Sequence, residues 1–337
     1  MRKRTVLLAA IGVATTARFL LRRVPEIRDA VVLITGGSRG LGLAIAFECG
    51  RRGATPVLCA RDGEELERAV GMLAGNGIAA GSFVTDVRDA AQAKSLVASV
   101  VAAHGRIDAL VNNAGIIAVA PQSAMHRDDY EDALATHFWG AYNTIDAALP
   151  HFRERGRGRI ANISSIGGKI SVPHLLAYST SKFALAGYSE GLRTELAREN
   201  ISVTTVYPGL MRTGSPRNAL FGGNASAEYT WFKISDTMPG ISVSAASAAR
   251  AIVDATARRD ATLTISTLAK FGSLAHAIVP NLTARVLGLA AAMLPAAPDT
   301  AAPEQKGWQE ENALTRSPLT VLGERPERTL NERGEGT

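Results

Sequence analysis

Tyr178 and Lys182 stand four residues apart in "LAYSTSKFALAGYSEGLR", where apolar residues recur at helical spacing. A helix there carries both side chains on one face. A phenol, with an ordinary pKa of about 10, is a poor base at neutral pH, and a neighbouring ammonium stabilises its phenolate. A shift of about two units corresponds to roughly 2.7 kcal/mol of differential interaction. A phenol tuned in this way donates a proton to a carbonyl oxygen and takes it back in the reverse direction. Upstream, "RIANISS" ends in Ser164 and Ser165, either of which offers a hydroxyl to steady an oxygen as charge develops on it. Neither serine lies in a Gly-x-Ser-x-Gly elbow, which disfavours a hydrolase built on a nucleophilic serine. A third feature is "VLITGGSRGLGLAIA", residues 32–46, where glycines fill the seam between an apolar run and a helical one. Glycines there let backbone N–H groups and a helix N-terminus meet a phosphate, although a purely structural turn has the same composition.

These groups need a scaffold. Short apolar runs alternate with longer periodic stretches: "VVLIT", "TPVLCA", "GSFVTD", "IDALVNN", "GRIANIS", "ISVTTVYP" and "ATLTIS" are separated by segments such as 64–73, 90–104 and 178–198. That rhythm predicts an α/β fold, a Rossmann-type doubly wound parallel sheet, in a single domain with a C-terminal helical extension. We divide the chain into a basic and apolar segment 1–28, the catalytic domain 29–266, amphipathic helices 267–297 and a polar, mostly disordered tail 298–337. At 46 % hydrophobic residues the 337-residue chain fills a sizeable core. The net charge is +6, but its basic residues are scattered among acidic ones, which argues against a nucleic-acid partner. Cys49 and Cys59 are the only cysteines, so the sequence predicts neither a disulfide framework nor a metal site. "MRKR" precedes the apolar "TVLLAAIGVATTA" and further arginines. The apolar run is short for a span of about 20 residues, and basic flanks that snorkel favour a membrane anchor over a cleaved signal or a packed helix.

Three motifs together make the chain resemble the classical short-chain dehydrogenase/reductase family. Thr35, Gly36, Gly40 and Gly42 form Thr-Gly-x-x-x-Gly-x-Gly, residues 112–115 read Asn-Asn-Ala-Gly, and Tyr178 and Lys182 form Tyr-x-x-x-Lys with a serine upstream. The resemblance covers about Val31 to Ser266 and implies an oxidoreductase that interconverts a carbonyl and a secondary alcohol with a nicotinamide cofactor. By it Tyr178 is the acid/base, Lys182 its partner and a ligand of the nicotinamide ribose, and Ser165, thirteen positions before Tyr178, is preferred to Ser164. The cofactor-binding residues it implies are Thr35, Gly36, Ser38, Arg39, Gly40, Leu41, Gly42, Arg61, Asp86, Val87, Asn113, Ala114, Gly115, Tyr178, Lys182, Pro208, Gly209 and Thr213. His137 departs from the pattern, because many members carry Asn there to complete a water-linked proton relay. An imidazole serves such a relay or is a packed helix residue, and both readings stay open.

Ala60 stands where members preferring NAD(H) carry Asp, and Arg39 and Arg61 flank the expected ribose, which favours NADP(H) by multidentate bonding to a phosphate; NAD(H) is the alternative. Residues 215–240 are expected to form a substrate lid, with Phe221, Tyr229, Trp231 and Phe232 as walls for an apolar guest. Those aromatics equally suit core packing. The expected partners are a small carbonyl or alcohol, a membrane surface and a second copy of the chain. The expected location is the cytoplasmic face of a membrane, with a soluble cytoplasmic protein as the alternative. A non-catalytic nucleotide sensor on the same fold is expected to lose Tyr178 or Lys182, and both are present.

Overall fold

The apolar runs pair side by side in the computed structural model, which describes residues 24–238, 240–296, 304–317 and 320–333. The strands are β1 (Val31–Thr35), β2 (Thr55–Ala60), β3 (Gly81–Val84), β4 (Ala109–Asn112), β5 (Gly158–Ile163), β6 (Ile201–Pro208) and β7 (Thr262–Ile265). They form a parallel sheet in the order β7-β6-β5-β4-β1-β2-β3. β1 and β6 are buried along their whole length, whereas β3, at the edge, alternates between half-buried and exposed. Helices cover both faces. On one, α1 (Gly40–Arg51), α2 (Gly63–Ala74) and a later helix, Ala245–Arg258, enclose a core with Leu43, Ile45, Leu73 and Ile252. On the other, α3 (Ala90–His104), α5 (Gly140–Glu154) and α6 (Leu176–Glu195) lie over the sheet, α4 (Arg127–Leu134) packs on α6, and Val100, Ile145, Phe152 and Ile160 are buried between the layers. Full burial of each such side chain contributes about 1.5–3 kcal/mol, which fixes the register of the strands beneath.

The strand order reverses between β1 and β4, and open α/β sheets bind ligands outside the carboxyl ends of their strands at such a point. The glycine segment leaves β1 there. Asp62 caps α2 by accepting the Glu65 N–H at 2.9 Å, so this aspartate has a local structural duty. Between α4 and α5 the helix widens into a π turn, Ala135–Trp139, that turns His137 into the interior.

After β6 the lid segment contains α7 (Ala225–Thr237), followed by α8 (Ala245–Arg258), β7, and a hairpin of α9 (Thr267–Ile278) and α10 (Pro280–Ala291). No residue of α10 is buried. Among the described residues no helix is long and apolar enough to cross a membrane. The basic and apolar residues 1–23 lie outside the described residues.

The polar tail departs from expectation. Instead of disorder, 304–317 and 320–333 lie on the domain: Gln305–Lys306 pairs antiparallel with Leu220–Phe221, and α11 (Val321–Thr329) leads to a buried Asn331 and Glu332. Its composition is that of a solvated segment, but its charges have buried partners. Glu311 accepts from Arg217 at 2.8 Å, and Glu327 lies 3.4 Å from the Lys233 ammonium. Such charge-assisted contacts offset the entropy of ordering the segment.

Candidate active site

The carboxyl ends of β1, β4, β5 and β6 bring the three motifs to one edge. Thr35 Oγ1 accepts from the backbone N–H groups of Asn113 and Ala114 at 3.0 Å each, and the Asn113 amide donates to the Thr35 and Gly36 carbonyls at 3.1 and 3.0 Å. This stitches the glycine turn to the end of β4. Gly36 has φ +61°, and a Cβ on Gly42 would lie 2.1 Å from the Gly36 carbonyl oxygen, so neither position admits a side chain without displacing backbone. α1 then begins at Gly40 with no capping side chain and no acidic residue in its first turn, which leaves N–H donors and a positive dipole end for an anion. The cradle fits a dinucleotide pyrophosphate: Gly36, Gly40, Leu41 and Gly42 supply backbone around it.

Of the residues expected at the adenosine end, Ser38 is buried and donates to Glu65 at 3.0 Å, and Arg39 donates to the other Glu65 oxygen at 2.9 Å. Glu65 therefore competes for Arg39, a partner that the sequence signals only as the third residue of α2. Arg61 is exposed. The Asp86 carboxyl is held below its usual range first by the bidentate Arg88 guanidinium and, more weakly, by Arg61. Val87 is buried, and the Asn143 amide donates to the Val87 and Arg88 carbonyls, fixing this loop. Asn112 is not a cofactor group: its amide donates to Asn162 at 2.9 Å and its oxygen accepts from Thr144 at 2.7 Å, inside the protein. Pro208 ends β6, Gly209 packs so closely that a Cβ would meet Ser266 Oγ at 2.5 Å, and Thr213 is buried against Ser215 at 2.8 Å.

The chemistry-bearing groups meet at the ends of β5 and α6. Ser165 hydrogen-bonds the Tyr178 hydroxyl and accepts the Gly167 N–H at 3.1 Å. Ser164 is turned away and donates to the Lys182 carbonyl at 2.9 Å, which fits a structural role for it. The Lys182 ammonium donates to the Ile163 carbonyl at 2.9 Å and lies 5.5 Å from the centre of the Tyr178 ring. Burial pushes Lys182 down to about 7, and it pushes Tyr178 above its ordinary value against the opposing hydrogen bond from Ser165. The expected lowering of the phenol by the lysine is thus outweighed by desolvation in the protein alone, because the ammonium stands over the ring and is spent on Ile163.

His137 is 1 % exposed, and its pKa is held well below 6.5 by burial and by the Lys182 charge. Its Nε2 accepts from the Ile116 N–H at 3.1 Å, which leaves Nδ1 to donate to Ser181 at 2.7 Å; Ser181 in turn donates to the Tyr178 carbonyl at 2.8 Å. Both ring nitrogens are thus engaged by protein groups, Ile116 and Ser181. The ring also stands edge-on to Tyr178, 5.4 Å between centroids. Ser181 carries no sequence signal beyond its place beside Lys182.

Phe221, Tyr229 and Phe232 are buried together with Val119 and Leu175, the core-packing alternative, whereas Trp231 is only partly buried beside them and bonds Glu228 at 2.6 Å. Tyr178 packs on the edge of the same cluster. The cradle also receives the tail: the Gly40 N–H donates to the Leu330 carbonyl at 2.9 Å, the Asn331 amide donates to the Ser38 and Glu65 carbonyls at 2.9 Å each, and Glu332 Oε1 would lie 2.6 Å from a Cβ on Gly40.

Comparison with known proteins agrees with this geometry. Residues 30–220 match the family model for short chain dehydrogenase. The chain belongs to the short-chain dehydrogenase family. A mouse dehydrogenase/reductase SDR family member 7B is 35 % identical over 221 residues, 64 % of this chain and 68 % of the relative. A short-chain dehydrogenase from Streptomyces avermitilis superposes with a TM-score of 0.66 at 31 % identity, covering 78 % of this chain and 98 % of that one. A gluconate 5-dehydrogenase from Burkholderia cenocepacia, solved with NADP and tartrate, gives 0.64 at 27 % identity over 74 % and 98 %. This short-chain dehydrogenase is therefore an oxidoreductase that acts on CH–OH groups with NAD(P).

Proposed function

We propose that the protein is an NADP(H)-dependent reductase or dehydrogenase of an apolar carbonyl or secondary alcohol, working at a membrane surface. The observation that carries the chemistry is the joint placement of Ser165, Tyr178 and Lys182 beside a glycine cradle that admits no Cβ. When bound, the nicotinamide supplies or accepts the hydride at the substrate carbon. The Tyr178 hydroxyl donates its proton to the substrate oxygen or takes it back, and the Ser165 hydroxyl holds that oxygen by a hydrogen bond that strengthens as negative charge grows. Lys182, whose charged form burial disfavours, steadies the phenolate when protonated.

For NADP(H), the support is Arg39 and Arg61 with the small Ala60 at the end of β2, since guanidinium pairs suit a phosphate dianion. For an apolar substrate at a bilayer, the support is the α9–α10 hairpin. Phe271, Leu274, Ile278, Leu282 and Leu289 are exposed, no acidic residue occurs between Ser266 and Ala297, and Lys270 and Arg285 complement anionic headgroups. Each helix has 12 residues, about 18 Å, short of a 30 Å hydrocarbon core, which suits lying in the interface. Gly272 of this hairpin borders Ile170, in the loop that follows Ser165.

The test is NADPH consumption across ketones, aldehydes and quinones of graded chain length, with Tyr178→Phe as blank. Turnover should rise with chain length and vanish in the blank. Turnover undiminished in Tyr178→Phe rejects the catalytic assignment, and preference for short polar substrates rejects the apolar one.

A further inference from the structure

Residues 330–332 lie on the glycine cradle. α1 has no cap of its own, and the tail supplies one: Leu330 takes the Gly40 N–H, and the Glu332 carboxylate, 2 % exposed, sits over Gly40 and 3.8 Å from Arg39 Nε. This is an acidic side chain at a helix N-terminus beside a guanidinium, the environment a phosphate would seek. Five further hydrogen bonds hold it. Asn218 donates to Glu332 Oε2 at 2.6 Å and to its carbonyl at 3.0 Å, and Asn331, at φ +57°, donates to the Ser38 and Glu65 carbonyls and accepts from Arg68 at 3.2 Å. Glu327, one turn earlier, is anchored by Lys233 and by Arg333 at 2.8 Å, and α11 packs on the lid helix α7. Burial raises the Glu332 carboxyl to about 7 against the pull of Arg39, as expected for a carboxylate in a dry cradle.

We propose that residues 320–333 form an autoinhibitory strap: Leu330, Asn331 and Glu332 fill the glycine cradle, and cofactor binding requires their displacement. The inference rests on the reading of the cradle as a dinucleotide site. The Leu330 carbonyl that takes the Gly40 N–H and the Glu332 side chain over Gly40 cannot share that donor and that volume with a pyrophosphate, so the two states exclude each other and the strap lowers apparent cofactor affinity by the fraction of open protein. Displacement also frees Arg39 from Glu332, which couples strap release to the residue expected to grip the adenosine phosphate. Because the same segment crosses α7, opening the cradle loosens the lid.

The decisive experiment reads binding and tail protection rather than turnover. NADPH affinity is measured by fluorescence titration for the full chain, for Asn331→Ala/Glu332→Ala, and for a chain ending at residue 317. Amide exchange of residues 321–333 is followed in the full chain with and without NADPH. The proposal expects at least tenfold tighter NADPH binding in both altered chains, and faster exchange of 321–333 when NADPH is bound to the full chain. Equal affinity in all three, with tail exchange unchanged or slowed by NADPH, overturns the strap while leaving the cofactor reading intact. Absence of NADPH binding in every chain, each shown folded by circular dichroism, overturns the cofactor reading and the strap together. The double variant alone guards against misfolding of the truncated chain, since it alters only two side chains at the end of the segment.

Discussion

Replacing His137 by Phe separates a positioning role from a proton relay. The phenyl ring fills the imidazole's space but can neither accept the Ile116 N–H nor donate to Ser181. An N–H left unsatisfied away from water costs about 1–3 kcal/mol, and a lost neutral hydrogen bond costs about 1 kcal/mol more. Ser181 keeps its bond to the Tyr178 carbonyl, so the penalty there stays small. The added apolar surface of Phe offsets part of the total, leaving a destabilisation of about 2–3 kcal/mol. At roughly 2–4 °C per kcal/mol for a domain of this size, the melting temperature should fall by about 4–12 °C. Thermal and urea unfolding measure this directly. Because the ring also braces Tyr178 edge-on, kcat should fall by less than about tenfold, with the shape of its pH profile unchanged. His137→Asn, which restores one amide to the site, should recover part of the stability. A Phe variant that keeps wild-type stability yet loses 100-fold or more in kcat, together with a limb of the pH profile near the ordinary histidine range, refutes this reasoning and restores the relay.

Four further outcomes are expected. Gly42→Ala drives a methyl to within 2.1 Å of the Gly36 carbonyl and should abolish NADPH binding while the sheet persists by far-UV circular dichroism; retained affinity would show that the turn can relax. Arg39→Ala with Arg61→Ala should raise KM for NADPH at least tenfold more than KM for NADH, and equal effects reject the phosphate grip. Leu282→Asp with Leu289→Asp should abolish co-sedimentation with anionic phosphatidylglycerol vesicles, whereas a wild-type protein that stays in the supernatant disposes of the membrane surface as partner. Lys182 is lowered from 10.5 to about 7 by burial, so between those values the unfolded chain binds more protons and this group makes stability rise with pH, the contribution being lost as pH falls toward 7. Lys182→Met should flatten the slope of stability between about pH 7 and 8.5, below the range where buried thiols and phenols oppose it; an unchanged slope rejects a buried, neutralised lysine.

The sheet was legible because its signals are local and repeated. The run "VVLIT" is buried at all five positions, and only pairing on both sides with neighbours covered above and below satisfies such a run. Tyr178, Lys182 and the glycines were legible because each carries chemistry in its type and spacing. What failed to show was long-range. Nothing in residues 62–66 says that Glu65 will seize Arg39, 26 positions earlier, and nothing in "TLNERGEGT" distinguishes a solvated tail from a segment whose Asn331 finds Ser38 across the domain. The partners that engage His137 were likewise illegible, because Ile116 and Ser181 contribute a backbone N–H and a small hydroxyl available at almost any position.

Arg39 is where these threads meet. A guanidinium next to the cradle draws anions, and in this protein it already has two: Glu65 at 2.9 Å and Glu332 at 3.8 Å. The first pair is partly exposed, 37 % for Arg39 and 20 % for Glu65, so it is worth little by itself and yields readily to a dianionic phosphate. The second involves a buried carboxyl group that also accepts from Asn218 and lies two residues after Leu330, whose carbonyl caps α1. Under the proposed strap, any preference of this enzyme for a phosphorylated cofactor is a competition among anions for Arg39, and its strength follows the state of the tail. Glu65→Gln should sharpen NADPH over NADH by freeing Arg39, whereas Glu332→Ala should tighten both dinucleotides, because the cradle it vacates holds the pyrophosphate common to them. A reversed pattern, with Glu332→Ala changing only the preference and Glu65→Gln only the common affinity, would show that the two carboxylates have exchanged these roles.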